Sequence, residues 1–223
     1  MELSYWKSRW EKGNVGFHMD EGYPGLERHW SSLPLQTISA VLVPLCGKSQ
    51  DLMWLSKKSE RVIGSEISET AVQEFYSENG LEPAVSSFGD FSVYSAKNIE
   101  IWQGDFLKLP EWKIPDTDLI YDKAALVALP PKMRKKYAAK VLELISPHTH
   151  MLLHHFTYNQ NEMNGPPFSV DHDEIETLFG GSFTQKTLEK DQLLLKNFKK
   201  FQNRGLKSEL IEYLLLLSPK PCK

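Results

Sequence analysis

Short apolar runs rich in β-branched residues alternate with segments of helical periodicity, and this alternation constrains the fold more than any other feature of the chain. Five runs read as strands, at residues 40–45, 61–67, 99–105, 118–122 and 151–156. Helices are predicted between them at residues 49–57, 68–79 and 132–145. Strands that alternate with helices predict a mostly parallel sheet covered on both faces.

The chain changes character after Asp171, where acidic residues 171–176 predict a helix start. Strands are then expected near residues 183–188 and over 210–217, and they should pair antiparallel at one edge because no helix is evident between them. The prediction is an α/β, doubly wound, mostly parallel seven-stranded Rossmann-like sheet with an antiparallel edge strand. A length of 223 residues suits one domain, residues 1–223.

Composition excludes several classes of protein. The chain has 26 basic and 29 acidic residues, whereas a protein held to nucleic acid by its overall field needs a basic surplus. Only two cysteines occur, Cys46 and Cys222, which excludes a disulfide framework and a four-cysteine zinc site. No signal peptide is evident, and the longest apolar stretch, 213–217, is far shorter than a membrane span. We therefore expect a cytoplasmic protein that binds neither membrane nor nucleic acid.

The loop after the first strand contains Gly47-Lys48-Ser49 and invites a phosphate-loop interpretation. That motif requires glycine at position 42, which is Leu42, so a nucleoside triphosphatase is disfavoured. The dinucleotide fingerprint is absent as well. What remains is either an ordinary turn or a tight turn at which a ligand approaches the backbone of Gly47.

Acidic residues end the second and third strands. Glu66 lies 19 positions after Gly47, near the spacing at which a carboxylate binds ribose hydroxyls in doubly wound folds, although a surface glutamate is the plain alternative. Gly104-Asp105 offers an acceptor for an adenine amino group, and Asp122-Lys123 ends the fourth strand. One small-residue turn with these acids suits an adenosine without a pyrophosphate, such as S-adenosylmethionine.

Two tryptophans near the start of the chain, Trp6 and Trp10, lie four residues apart and so share one side of a helix. They are either core aromatics or the face of a lid, residues 1–32, that covers the adenosine or the cationic sulfonium. Gly13 and Gly16 would supply the lid's joints.

Clusters of histidine and of basic residues have simpler interpretations. His148, His150, His154 and His155 have no interleaved carboxylate, so we expect surface and strand-end histidines and no metal site. The basic residues of the helix at 132–145 (Lys132, Arg134, Lys135, Lys136 and Lys140) are expected mostly on a solvated face. The same applies to the later cluster of Lys196, Lys199, Lys200 and Arg204.

Five blocks in order give the chain a close resemblance to the thiopurine S-methyltransferase family over nearly its whole length. They are residues 6–10 with Gly16-Phe17-His18, then 44–48 (Pro-Leu-Cys-Gly-Lys), 64–68 (Gly-Ser-Glu-Ile-Ser), 122–129 (Asp-Lys-Ala-Ala-Leu-Val-Ala-Leu) and 165–168 (Gly-Pro-Pro-Phe).

The resemblance implies a class I methyltransferase fold and methyl transfer from S-adenosylmethionine to sulfur. It places Phe17 at the substrate and a larger set of residues at the cofactor: Trp6, Trp10, Leu45, Gly47, Glu66, Gly104, Asp105 and Lys123. The family usually has arginine at the position of Lys123, so charge is kept there but bidentate geometry is lost.

The predicted activity is in-line methyl transfer to a small heteroaromatic thiol by a monomer. Asp122 and His18 are candidate bases, and Cys46 is interpreted as loop packing. Three alternatives stay open. They are transfer to other soft nucleophiles (selenium or tellurium oxyanions, small thiols or halide), a weakly active cofactor-binding module, and an RNA methyltransferase.

Overall fold

A computed structural model describes residues 3–15, 18–114 and 116–221 of the chain. Its centre is a sheet of nine strands in the order β3-β4-β5-β2-β1-β6-β7-β9-β8. The strands are β1 (Ala40–Pro44), β2 (Arg61–Glu66), β3 (Ala84–Phe88), β4 (Phe91–Ala96), β5 (Ile99–Gln103), β6 (Leu119–Lys123), β7 (His150–Thr157), β8 (Phe183–Leu193) and β9 (Leu210–Pro219).

Eight α-helices lie in the described part of the chain. They are α1 (Leu3–Glu11), α2 (Pro24–His29), α3 (Asp51–Leu55), α4 (Glu69–Glu78), α5 (Ala125–Ala128), α6 (Pro131–Glu143), α7 (His172–Phe179) and α8 (Lys199–Gln202). Single 3-10 turns occur at Trp30–Ser32, Phe106–Lys108, Glu111–Lys113 and Leu195–Asn197.

The five central strands β5, β2, β1, β6 and β7 are parallel, as the alternation of strands and helices predicts. Strand β9 pairs antiparallel with both β7 and β8, which confirms the expected antiparallel finish. Apolar side chains cover both faces of the sheet: Leu42 and Leu153 pack on the side of α5, α6 and α7, and Val43 and Leu152 pack on the side of α3 and α4.

The predicted count of seven strands is wrong, because a hairpin was missed. Strands β3 and β4 pair antiparallel through the two-residue turn Gly89-Asp90, and β4 extends the sheet beyond β5. Gly89 has a φ of 56°, as a tight hairpin turn favours. Four of the five residues of β3 are exposed, so the strand lacks the apolar run that marks the buried strands.

Helix α6 also differs from expectation at one position. Arg134 lies in a helix predicted to be mostly solvated, but its side chain is buried against α7. In the described residues, no helix combines the length and apolar composition that crossing a bilayer requires.

Candidate functional site

The chain order reverses between β1 and β6, so the crevice outside the carboxyl ends of these two strands is the expected ligand site. The backbone is strained at both strand ends. Leu45, directly after β1, has a φ of 48°, and Ala124, directly after β6, has a φ of 65°. Such left-handed conformations are costly for residues with a side chain, and they concentrate at ligand sites. The strain therefore marks the same crevice as the topology.

Glu66, the last residue of β2, joins the loop after β1 to the loop after β2. Its side chain is buried, Oε2 accepts a hydrogen bond from the Gly47 amide at 2.8 Å, and Oε1 accepts one from the Ser68 amide at 2.8 Å. Burial raises the pKa of Glu66, and the amide donors partly oppose that shift. Each oxygen retains a lone pair, so this carboxylate can still accept hydrogen bonds from a vicinal diol.

Trp10 packs directly on the loop after β1. A Cβ at position 47 would lie 2.9 Å from Cζ2 of this indole, and Gly47 has a φ of 55°. Glycine is therefore favoured both by the lack of space and by the left-handed backbone. Trp10 is buried, and Trp6, one turn earlier on α1, is half-buried with Tyr5 edge-on to it at 5.3 Å. Trp10 is thus brought to the crevice together with Leu45, Gly47 and Glu66.

Gly104 and Asp105 follow β5 next to Glu66. The Gly104 amide donates to the Glu66 carbonyl at 2.8 Å, and a Cβ at position 104 would lie 2.4 Å from the Phe91 ring of the hairpin. The Asp105 Oδ1 accepts from the Leu107 amide at 3.0 Å and begins the short helix that follows. Both residues therefore lie at the same sheet edge, and the missed hairpin packs on Gly104.

Asp122 holds the strained turn after β6. It accepts from the amides of Ala125 at 2.8 Å and Leu126 at 3.1 Å, and from the Tyr137 hydroxyl at 2.7 Å. Complete burial raises its pKa to about 6, against which these three donors act. Three donors on a fully buried carboxylate assign Asp122 to the architecture of the turn.

The other candidate base, His18, is half-buried and lies 3.5 Å from Asp20, and burial lowers its pKa. Phe17, the expected substrate contact, lies outside the described residues.

Lys123 is the last residue of β6 and is half-buried on the same face as α3. Its Nζ lies 5.8 Å from the centre of the Tyr23 ring, in a cation–π contact. Burial lowers the pKa of Lys123, and the negative charges of Asp51 and Glu212 partly offset the shift.

Two histidines of β7 are buried, whereas the sequence predicted surface or strand-end positions. His154 Nε2 lies 2.6 Å from Oε1 of Glu212 on β9, and its ring packs edge-on against Tyr23 at 4.8 Å. His155 points to the opposite face, where its ring stacks on Tyr213 at 4.9 Å and its Nδ1 contacts the Val170 carbonyl at 2.8 Å. The described residues contain no group of three metal-ligating side chains.

The Gly-Pro-Pro-Phe segment, residues 165–168, is held beside the turn after β6. The Phe168 amide donates to the Val127 carbonyl at 2.6 Å, and the Tyr158 hydroxyl donates to the Pro167 carbonyl at 2.7 Å. Arg204 donates to the Pro166 carbonyl at 2.7 Å, and the Arg134 guanidinium lies 5.9 Å from the Phe168 ring centre. Sequence reasoning missed these two arginines, because each partner is distant along the chain.

Comparisons with known proteins identify the family of this chain. The family described as Thiopurine S-methyltransferase (TPMT) matches residues 1–216. A thiopurine S-methyltransferase of Pseudomonas fluorescens is 45% identical over 203 residues, which are 91% of this chain and 93% of the relative.

Solved structures share the fold at low identity. A SAM-dependent methyltransferase from Anabaena variabilis superposes with a TM-score of 0.67 at 16% identity, covering 98% of this chain and 95% of that one. The 1,6-didemethyltoxoflavin-N1-methyltransferase of Burkholderia thailandensis, solved with S-adenosylhomocysteine, gives a TM-score of 0.63 at 14% identity, with 98% and 87% covered. The fold is thus the α/β Rossmann-like methyltransferase fold, here with a mixed sheet of nine strands.

Proposed function

Because this chain belongs to the thiopurine S-methyltransferase family, we propose that it transfers a methyl group from S-adenosylmethionine to the sulfur of heteroaromatic thiols. The observation that carries the proposal is the buried Glu66 carboxylate, fixed by the Gly47 amide at the carboxyl edge of the sheet. A carboxylate held there in a low-dielectric setting suits the ribose hydroxyls of an adenosine.

The residues at the crevice fit this cofactor. Gly47 lets the backbone approach a ligand closely, and Glu66 keeps lone pairs for two hydroxyls. Leu45 and Trp10 would flank the adenosine, and Trp10 already packs on the loop. The full set proposed for cofactor binding is Trp6, Trp10, Leu45, Gly47, Glu66, Gly104, Asp105 and Lys123, with Phe17 proposed at the substrate.

The cofactor supplies a methyl group on a positively charged sulfur, and displacement by an acceptor sulfur requires no metal ion and no covalent enzyme intermediate. The protein's part is to hold the acceptor in line and to exclude water. Alignment at about 3–3.5 Å contributes up to roughly 7–11 kcal/mol through effective molarity. Holding the acceptor in line requires a site with a rigid surface. The segment 165–168 meets this requirement, because hydrogen bonds to Arg204, Tyr158 and Val127 fix it.

The N-terminal segment, residues 1–32, is proposed as a lid over this crevice. Helix α1 supports the proposal, because it places Trp10 against Gly47. The single domain over residues 1–223, the monomeric state, the cytoplasmic location and the absence of nucleic-acid binding stay predictions from the sequence.

Glu66→Ala tests the proposal by calorimetry with S-adenosylhomocysteine. Each hydrogen bond to a charged group contributes about 1.5–3 kcal/mol, so affinity should fall about 10- to 100-fold. The matched control is Glu60→Ala, which removes an exposed glutamate next to the opposite end of the same strand and should leave affinity unchanged. Unchanged affinity in a folded Glu66→Ala protein would refute the ribose assignment.

A further inference from the structure

His154 on β7 and Lys123 on β6 lie side by side, and each has a polar group that can still bind a ligand. The two residues are Cα partners in the parallel pair, so their side chains share one face of the sheet. His154 is completely buried, and its Nδ1 has no hydrogen-bond partner. Lys123 forms no ion pair within the described parts of the chain. A buried acceptor nitrogen beside an ammonium is an arrangement that a ligand would complete.

Glu212 determines which nitrogen of His154 is the acceptor. Its carboxylate lies 2.6 Å from Nε2, so Nε2 carries the hydrogen and Nδ1 presents a lone pair. The two ring nitrogens point in divergent directions. Because Nε2 is directed at Glu212 on β9, Nδ1 is not directed at that carboxylate. Burial lowers the pKa of His154 and keeps the imidazole neutral, whereas the hydrogen bond to Glu212 acts in the opposite direction and favours the protonated ring.

Tyr23 covers both groups. Its ring lies edge-on to His154 at 4.8 Å and within 5.8 Å of the Lys123 Nζ. Tyr23 belongs to the N-terminal segment. A cavity of about 210 Å³ is lined by Tyr23 together with Asp51 and Trp54, but by neither His154 nor Lys123. Displacement of this ring would connect the two nitrogens with the crevice outside β6.

We propose that His154, oriented by Glu212, accepts the proton of the thiol acceptor, and that Lys123 stabilises the sulfur anion beside it. This inference rests on the proposed function and deepens it. The acceptor's proton moves to Nδ1 of His154, leaving an electron pair on the acceptor sulfur. That pair forms the new sulfur–carbon bond, while the bond between the methyl group and the sulfonium breaks and its electrons stay on the leaving sulfur. The Glu212 carboxylate stabilises the imidazolium, which returns the proton to solvent once Tyr23 moves away.

A series of heteroaromatic thiols tests the proposal, chosen so that some have a thiol pKa below the assay pH and others above it. A general base matters only for thiols that are still protonated. In His154→Leu, kcat/KM should therefore fall about 100-fold or more for the weakly acidic thiols and by no more than a few-fold for the acidic ones. The loss should grow steadily with the thiol pKa.

His155→Leu is the matched control. His155 is also buried on β7, and it also has a ring nitrogen without a partner, but it points to the face away from Lys123. We expect any loss in this variant to be the same for every thiol. If His154→Leu does not fold, Glu212→Gln takes its place, with the same dependence on thiol pKa at a smaller amplitude.

A second measurement does not depend on turnover. In the complex with S-adenosylhomocysteine, ultraviolet titration of a bound heteroaromatic thiol should show ionisation at a lower pH than for the free thiol, and this shift should shrink in His154→Leu. An equal loss across the thiol series, or an unchanged titration, would overturn the inference while the proposed function stands. Lack of methyl transfer to every thiol by the wild-type protein would overturn both.

Discussion

At the residue scale, Asp122 shows how burial and hydrogen bonding oppose each other in one carboxylate. Its three donors favour the ionised form, but complete burial outweighs them and raises the pKa to about 6 from an ordinary value of 3.8. Ionisation of Asp122 is therefore harder in the folded protein than in the unfolded chain. This unfavourable ionisation results from the burial of Asp122 at the turn that contains Ala124 and follows Lys123.

This shift predicts a pH dependence of stability. Because the folded-state pKa is raised, the contribution of Asp122 is fully present below about pH 3.8 and is lost as the pH rises through about 6. The free energy of unfolding should therefore increase by on the order of 2–3 kcal/mol from pH 7 to pH 4 in the wild type, relative to Asp122→Asn. Urea unfolding of both proteins at both pH values measures these free energies. The same change between pH 7 and pH 4 in the wild type and in Asp122→Asn would contradict the raised pKa of Asp122.

At the element scale, Arg134 joins α6 to α7 and to the turn after α5. Its Nε and Nη2 donate to Glu174 at 2.7 and 2.8 Å, and Nη1 donates to the Leu129 carbonyl at 2.9 Å. Arg134 is only 3% exposed, so these bonds are shielded from water and their loss lowers stability. The planar guanidinium suits this three-way contact, whereas an ammonium does not.

Arg134→Lys should accordingly lower the free energy of unfolding by about 1–3 kcal/mol, because the fork to Glu174 and the bond to Leu129 cannot all be replaced. Lys135→Ala, an exposed change on the same helix, should stay within about 0.5 kcal/mol of the wild type. Equal stability of Arg134→Lys and wild type in urea unfolding would show that charge alone suffices.

The N-terminal segment gives a second prediction at this scale. If it closes over the adenosine, hydrogen exchange in residues 5–18 should slow when S-adenosylhomocysteine binds, because closure protects the amides of α1. The intact protein is labelled and then digested, and mass spectrometry of the peptides measures the exchange, with the peptides of α6 as the internal reference. Identical exchange with and without ligand would favour Trp6 and Trp10 as plain packing residues.

At the scale of the whole molecule, the two edges of the sheet differ. Strand β8 carries charged residues and a register shift between Thr187 and Glu189, which are features that block pairing with another chain. Strand β3 carries no charged residue, and Val85 on it is 57% exposed. It is also only five residues long, so pairing through it would bury little surface.

We therefore expect a monomer with a mass of 25.6 kDa in sedimentation analysis. A particle of twice this mass would contradict the expectation and direct attention to β3. Val85→Lys distinguishes the possibilities in that case, since a charge on the open edge should restore the monomer if β3 forms the interface.

Sequence and structure agree most closely where local periodicity carries the information. The five parallel strands and the order of their loops follow from apolar runs that alternate with helices, and the carboxyl ends of such strands meet at one edge of the sheet. The positions of Gly47 and Glu66 could be predicted for this reason, whereas only the family resemblance points to Leu45. The β3–β4 hairpin could not be predicted, because four of the five residues of β3 are exposed and the strand has no alternation of buried and exposed residues.

The sequence by itself determined the architecture and the loops that form the crevice, since both depend on neighbours along the chain. Only the tertiary structure decided which distant side chains meet. Arg134 finds Glu174 40 residues away, and His154 finds Glu212 58 residues away. Sequence patterns of helices and strands span only a few residues, so they predict neither of these pairs. Burial then fixes the charge states of these groups, because the cost of desolvation depends on everything packed around them and not on the residue type alone.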